Sequence, residues 1–201
     1  MRNSSNLIYA SLEPKRYTPP RCKACHLESD RSTNVNLLHD FDRIQRPRVL
    51  VLGDLMLDQY TWGAAQRTSQ EAPVVVLQVK NREQRLGGAS NVCYMLNVLS
   101  AEVTCAGVIG DDLPGQAITR LLDQTGINTQ LVLRCPDRVT TQKERFVGRS
   151  GSGLPGQILR VDTETTAEIT ESVEKRLIDG LRSRIPHHDV VLISDYAKGV
   201  C

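Results

Sequence analysis

The sequence predicts an α/β protein with a mostly parallel sheet. From residue 47 onward, short apolar runs rich in β-branched residues recur, and several of them are separated by segments with helical spacing of apolar residues. Strands that alternate with helices are joined by right-handed crossovers into a parallel sheet with covered faces. At 201 residues, 40% of them hydrophobic, the chain has room for one domain and its core.

The elements follow one another in a regular order. In sequence, the predicted strands are 48–54, 72–79, 102–112, 129–134, 140–148 and a last one from 189. A first helix follows Gly88, and a second covers 114–126 with Gly126 where a C-cap glycine belongs. Thr165 and Glu168 fit a capping box before a third helix, whose apolar face carries Ile169, Val173, Leu177 and Leu181. The segments 72–79 and 140–148 have no covering helix, so we expect them to form a separate small β layer.

Residues 1–46 predict a poorly ordered N-terminal extension. They are rich in Ser, Asn, Arg and Pro, and they show no sustained period of 2 or 3.6. The stretch CKACH, Cys22–His26, fits a haem-attachment pattern, and a zinc site on Cys22, Cys25 and His26 can be imagined. No signal peptide precedes it and a closed zinc site needs four well-placed ligands, so we interpret it as a chance match and predict no metal site.

Composition limits the function classes. The net charge is +2, and basic residues outnumber acidic ones only in the first 48 residues, which does not favour nucleic-acid binding. No run approaches 18 apolar residues, so we predict no membrane contact and a cytoplasmic location. Six scattered cysteines are typical of reduced, buried thiols rather than a disulfide framework.

Polar residues stand at the carboxyl ends of predicted strands, where an open parallel sheet binds its ligands. Carboxylates there accept hydrogen bonds from hydroxyl groups, and paired glycines let a ligand approach the backbone at a helix start. Three groups of candidates result: Asp54 with Asp58, Gly87 with Gly88 and Asn91, and Asp195 with Lys198.

Each group also has a simpler interpretation. Asp54 and Asp58 could cap a turn and a helix, and the glycine pair could be only a turn. The glycines are not a P-loop, because no Gly-Lys-Ser/Thr follows them.

Seven motifs follow one another over about residues 48–201: VLVLGDLMLDQY, EAPVVVLQV, RLGGASNV, AGVIGDD, TTQKERFV, ILRVDTE and LISDYAKGV. Together they resemble the ribokinase-like carbohydrate kinases. Within that family, the sequence looks most like the branch that phosphorylates heptose 7-phosphate in lipopolysaccharide precursor synthesis. The resemblance implies a ribokinase-like three-layer sandwich with a mostly parallel central sheet and a small β lid, from about 60–80 and 139–149.

The same resemblance implies roles for individual residues. Asp58, Gly87, Gly88 and Asn91 would hold sugar hydroxyls, with Asp54 as a neighbour, and Asp195 and Lys198 would lie beside the sugar and the phosphoryl path. Lys143 and Arg145 alternate with Glu144, so they share one strand face and could meet a substrate phosphate, or they could be solvated lid charges. Trp62 could stack on the sugar or pack within the lid. Two lids often associate in the family, which makes a homodimer plausible.

The resemblance also implies a catalytic element that this sequence does not contain. Transfer of phosphate from ATP, with Mg²⁺, would need a Gly-Ala-Gly-Asp element with the general base, and no such element occurs in the 201 residues. We therefore expect residues 47–201 to be the N-terminal part of a kinase domain that contains no catalytic base and binds ATP and Mg²⁺ weakly at most. The isolated chain would then be inactive, and the alternative function is a non-catalytic sugar-phosphate-binding or interaction module.

Overall fold

The computed structural model describes residues 46–149 and 153–201, which form two four-stranded sheets and three α-helices. The extension before residue 46, with Cys22–His26, lies outside the described residues. None of the helices in the described ranges combines the length and apolarity needed to cross a bilayer. The elements are β1 (Arg48–Gly53), β2 (Leu55–Thr68), β3 (Val75–Gly87), α1 (Gly88–Val98), β4 (Glu102–Gly110), α2 (Leu113–Gln124), β5 (Asn128–Cys135), β6 (Thr141–Arg149), β7 (Gly156–Thr163), α3 (Glu171–Arg184), a 3₁₀ turn (Ile185–His187) and β8 (Val190–Ser194).

The first sheet is fully parallel, in the order β5-β4-β1-β8. Alternation along β1 sends Val49 and Val51 into a core shared with α1 and α2, and Leu50 into a second core shared with α3. Because both faces of β1 are covered, the strand reads as a continuous apolar run. The predicted α/β class with a parallel sheet in a layered sandwich is confirmed.

β8 is an edge strand of this sheet. Its apolar side chains lie on both faces and remain largely open: Val190 is 51% exposed, Val191 42% and Ile193 64%. An edge of this kind is a template for pairing with another strand.

The second sheet has the order β3-β2-β6-β7, with β2 and β6 parallel and the outer pairs antiparallel. The expected separate β layer is therefore present. It is larger than the sequence indicated, because β2 starts at Leu55, β3 runs on to Gly87, and β7 adds a fourth strand. We call this sheet the lid sheet. Closure of the lid over a ligand and its association with a second copy stay predictions.

The helix ends show one success and one error of the sequence interpretation. α2 is capped by Asp112, which accepts a bond from the Gly115 amide at 2.8 Å, and Gly126 follows the helix with φ +75°. The predicted capping box before α3 is wrong, because that helix begins at Glu171 with Thr170 as N-cap. Ile169 lies before the helix, where its amide donates to the Gly199 carbonyl at 3.0 Å, yet it still packs on the core shared with α3.

Candidate functional site

Asp54 lies between β1 and β2, and its side chain is only 1% exposed. Its Oδ2 accepts hydrogen bonds from the amides of Tyr196 at 2.8 Å and Lys198 at 3.1 Å. The carboxylate therefore ties the loop after β8 to the end of β1, which matches the turn-holding interpretation. Its Oδ1 is buried and finds no hydrogen-bond partner within the described part of the chain. A role for Asp54 in substrate binding stays a prediction.

Asp58 lies inside β2, opposite Arg85 of β3 on one side and Lys143 of β6 on the other. The helix-capping interpretation of Asp58 is wrong, since no helix begins there. Its Oδ1 accepts a bond from Nη1 of Arg145 at 2.6 Å, and both side chains are about four-fifths buried, with 22% and 20% of their surface exposed. This bond raises the pKa of Arg145. A short charge-assisted bond fixes the carboxylate in the lid sheet.

The two glycines before α1 serve different neighbours. Gly88 has φ +53°, and a Cβ there would stand 2.5 Å from the Asp54 carbonyl oxygen, which accepts a bond from the Ala89 amide. A Cβ on Gly87 would stand 3.0 Å from both Cγ and Oδ2 of Asp58. Gly88 therefore permits a backbone turn, whereas Gly87 leaves space beside the Asp58 carboxylate. A role of the pair in ligand binding stays a prediction.

A cavity of about 590 Å³ opens beside Asp58 and the first turn of α1. Its lining includes Asp58, Tyr60, Arg85, Asn91 and Tyr94. This volume lies within the range of small-molecule sites, about 300–1,000 Å³. The carboxylate accepts hydrogen bonds, the amide both accepts and donates them, and the phenol rings offer apolar faces. The arrangement suits a small ligand with several hydroxyl groups.

Tyr60 lies on β2, two residues after Asp58 and therefore on the same strand face. Trp62 stacks on it, with ring centroids 6.1 Å apart and planes at 17°. The guanidinium carbons of Arg85 and Arg145 lie 4.9 Å and 5.2 Å from the centroid of the Tyr60 ring. Trp62 thus packs within the lid sheet, and Tyr60 is the aromatic residue of the pair that reaches the cavity.

A row of charges continues from the cavity along the lid sheet. Nζ of Lys143 lies 3.4 Å from Asp162 and 3.7 Å from Glu164, and Nζ of Lys198 lies 3.0 Å from the other oxygen of Glu164. Burial raises the pKa of Asp162, but Lys143 and Arg160 outweigh it and hold that pKa below its ordinary value. Glu164 therefore links the lid sheet to the loop after β8.

The loop after β8 is held by Arg138, a residue that the sequence analysis did not identify. Arg138 donates hydrogen bonds to the backbone carbonyls of Thr165, Ala167 and Lys198. Asp195, by contrast, uses its side chain locally, accepting a bond from the Ala197 amide at 2.7 Å. Arg138 fixes the backbone from which Lys198 projects, and Asp195 shapes the turn.

The predicted residues therefore separate into three places. Asp58 and Asn91 line the cavity, with Gly87 against Asp58; Lys143 and Lys198 join the charge row with Arg145 beside it; and Gly88 with Asp54 and Asp195 shapes the backbone. Their roles in binding stay predictions. The residues that sequence reasoning missed are Tyr60, Arg85, Tyr94, Arg138, Asp162 and Glu164. For Tyr60 a signal exists, since it stands two residues after Asp58 and so shares its strand face.

No metal centre is built from the described ranges: no group of three or more His, Cys, Asp or Glu there is placed to hold an ion. His188 uses its ring nitrogens on the Arg184 carbonyl and the Thr104 hydroxyl, both at 2.8 Å. Cys93, Cys105 and Cys135 are buried free thiols, as expected.

The sequence of this chain is similar to those of known proteins. The profile of the pfkB family carbohydrate kinases matches residues 46–153. The bifunctional protein HldE of Pelobacter propionicus is 43% identical over 160 residues, which cover 80% of this chain and 32% of that protein. The D-beta-D-heptose 7-phosphate kinase of Bordetella bronchiseptica is 44% identical over 163 residues, which cover 79% and 48%. The chain thus spans about a third to a half of these curated relatives.

Solved structures agree on the fold. A carbohydrate kinase from Agrobacterium tumefaciens superposes with a TM-score of 0.55 at 19% identity, over 73% of this chain and 45% of the other. A ribokinase from Arabidopsis thaliana, solved with ribose and ATP, superposes with a TM-score of 0.51 at 15% identity, over 74% and 45%. The fold is therefore ribokinase-like.

Proposed function

The chain belongs to the pfkB family of carbohydrate kinases, and from that premise we propose that it binds a phosphorylated heptose in the cavity beside Asp58. It would do so as the sugar-binding part of an ATP-dependent heptose 7-phosphate kinase that serves lipopolysaccharide precursor synthesis. The observation that carries the proposal is that Asp58 and Asn91 line one cavity of suitable size, with Gly87 directly against the Asp58 carboxylate. The identity to the Bordetella heptose 7-phosphate kinase supports the choice of sugar.

The Asp58 carboxylate is arranged to accept a sugar hydroxyl. Arg145 takes Oδ1, while Oδ2 faces Gly87. Because Gly87 has no Cβ, the Asp58 carboxylate lies directly against its backbone, and a sugar hydroxyl in the cavity that Asp58 lines would have a charged acceptor within reach. Asn91, one helical turn into α1, adds an amide that both donates and accepts. Two such groups select for adjacent hydroxyls.

The lid sheet would contribute by excluding water. Closure over the sugar removes the water molecules that compete with its hydroxyl as phosphoryl acceptor. The Glu164 link between Lys143 and Lys198 joins the lid sheet to the loop after β8, so it is a contact that a lid movement would strain or break.

The sequence also leaves a second candidate function. ATP is the phosphoryl donor and Mg²⁺ its partner in the proposed reaction, and the 201 residues contain no Gly-Ala-Gly-Asp element. This observation favours, for the chain by itself, sugar-phosphate binding without turnover.

Calorimetric titration with D-glycero-β-D-manno-heptose 7-phosphate tests the proposal. We expect saturable binding that weakens about tenfold to a hundredfold in Asp58→Asn and Asn91→Ala, the range for losing a hydrogen bond in a charged site. Asp179→Asn is the matched control, because this exposed carboxylate lies on α3, across the parallel sheet. Absence of saturable binding, or equal binding by all variants, would contradict the proposal. Turnover of ATP and the sugar phosphate by the 201-residue chain would exclude the binding-only alternative.

A further inference from the structure

Three cations lie close to Asp58, and they differ in how firmly they are held. Lys143 is 20% exposed and sits between Asp162 and Glu164. Arg145, also 20% exposed, makes the 2.6 Å bond to Asp58 itself. For either one to take up a phosphate, it would have to leave or share a carboxylate in a partly buried place.

Arg85 is held differently. Its side chain is 56% exposed, and its ion-pair partner, Glu83 at 2.7 Å, is 40% exposed. Ion pairs of this kind contribute little to stability, because water screens both charges. A phosphate dianion therefore competes with Glu83 for the Arg85 guanidinium far more easily than with the partners of Lys143 or Arg145.

Arg85 is also in the right place. It is the cross-strand neighbour of Asp58, it lines the cavity that Asn91 lines, and its guanidinium lies over the Tyr60 ring at 4.9 Å. The ring restricts the guanidinium without occupying its N–H groups. The donor fork thus stays available for two parallel bonds to phosphate oxygens.

We propose that Arg85 binds the phosphate of the sugar phosphate and thereby sets the preference for a phosphorylated over an unphosphorylated sugar; this inference rests on the proposed function. Glu83 holds the guanidinium while the cavity is empty and gives it up when the phosphate enters. Lys143 and Arg145 then act mainly on carboxylates, with Arg145 keeping Asp58 oriented for the hydroxyls.

The experiment compares two ligands, heptose 7-phosphate and the same heptose without phosphate, on the 201-residue chain. We expect Arg85→Gln to bind heptose 7-phosphate about tenfold to a hundredfold more weakly and to bind heptose as the unchanged chain does. Arg85→Lys keeps the charge but loses the fork, so an intermediate affinity is expected. Arg82→Gln is the matched control: it removes the same charge from the same strand, on the opposite face.

Glu83→Gln supplies a second, opposite test. Removing this carboxylate frees Arg85 and removes a repulsive charge from the cavity, so heptose 7-phosphate should bind several-fold more tightly while heptose is unaffected. If Arg85 only supported the fold, Glu83→Gln would not increase the affinity for heptose 7-phosphate alone. Circular dichroism and urea unfolding of each variant show whether its fold is retained.

The outcomes separate this inference from the proposed function. If the unchanged chain prefers heptose 7-phosphate and Arg85→Gln keeps that preference, the role of Arg85 is refuted while the proposed function stands. Equal weakening for both ligands would also refute it, since Arg85 would then act on the hydroxyl side. If the unchanged chain binds neither ligand, both the proposed function and the inference fail.

Discussion

Gly87 and Gly88, at the start of α1, have different neighbours in the structure. We therefore expect alanine substitutions at the two positions to have different effects on stability and ligand affinity. In Gly87→Ala, the backbone is extended at φ −126°, which any residue adopts, and the three atoms nearest to the added Cβ all belong to the Asp58 carboxyl group, the closest at 3.0 Å. The carboxylate must retreat by a few tenths of an ångström against its bond to Arg145. We expect a stability loss of only about 1 kcal/mol, the cost of alanine at an N-cap, with sugar-phosphate affinity reduced about tenfold.

Gly88→Ala should give the opposite result. Its φ of +53° costs a non-glycine residue about 1–2 kcal/mol, and its Cβ would stand 2.5 Å from the Asp54 carbonyl oxygen, which belongs to the backbone and has little freedom to move. We expect a total loss of about 2–4 kcal/mol in urea unfolding at 25 °C. Calorimetry with heptose 7-phosphate supplies the second measurement for both variants. The reasoning is refuted if Gly87→Ala loses as much stability as Gly88→Ala, or if it binds the ligand normally.

Three further predictions concern other parts of the molecule. Arg138→Met removes the donor to three backbone carbonyls and should lower the free energy of unfolding by about 3 kcal/mol in urea; a loss under about 1 kcal/mol would contradict its structural role. The hydrogen bonds from Arg48 lower the pKa of Asp189 to about 2 from 3.8, so its contribution to stability is present above pH 3.8 and lost as pH falls toward 2. The stability difference between the unchanged chain and Asp189→Asn should shrink over that interval in urea titrations, and a constant difference would argue against it. Because β8 leaves Ile193 exposed at a sheet edge, we expect the chain to self-associate in sedimentation velocity and Ile193→Lys to reduce that association; a monomeric unchanged chain, or equal sedimentation of both, would contradict this role of β8.

Local sequence patterns predicted the parallel sheet well. The run at Val49–Leu52 is apolar on both faces because β1 is covered by helices on both sides, and such runs are visible without any knowledge of partners. The C-terminal end of α2 was predicted equally well, since Gly126 adopts the left-handed backbone conformation that commonly ends a helix. These features depend on a few neighbouring residues only.

The failures have a different origin. The start of α3 was misplaced because Arg138 and Gly199, distant in sequence, hold the preceding segment in a non-helical conformation through backbone hydrogen bonds. The extent of the lid sheet was underestimated since its strands are polar on much of their surface and lack a clear apolar period. Tertiary contacts decided both cases.

The candidate site was predicted in part for the same reason. Asp58, Gly87 and Asn91 all lie within family motifs, and Gly87 stands where β3 ends and α1 begins. The pairing of Arg145 with Asp58 joins residues 87 positions apart, and it depends on the register between β2 and β6. The difference between the firmly held Arg145 and the exposed Arg85 is likewise a matter of burial and register, which the sequence does not display.

The most direct test of the sugar site is a ¹⁵N-NMR titration of the chain with heptose 7-phosphate. The account predicts saturable shifts of the amide signals of Gly87, Gly88 and Asn91, with the signals of α3 unchanged. Shifts confined to elements away from the cavity, or no saturable shifts at millimolar sugar phosphate, would contradict it.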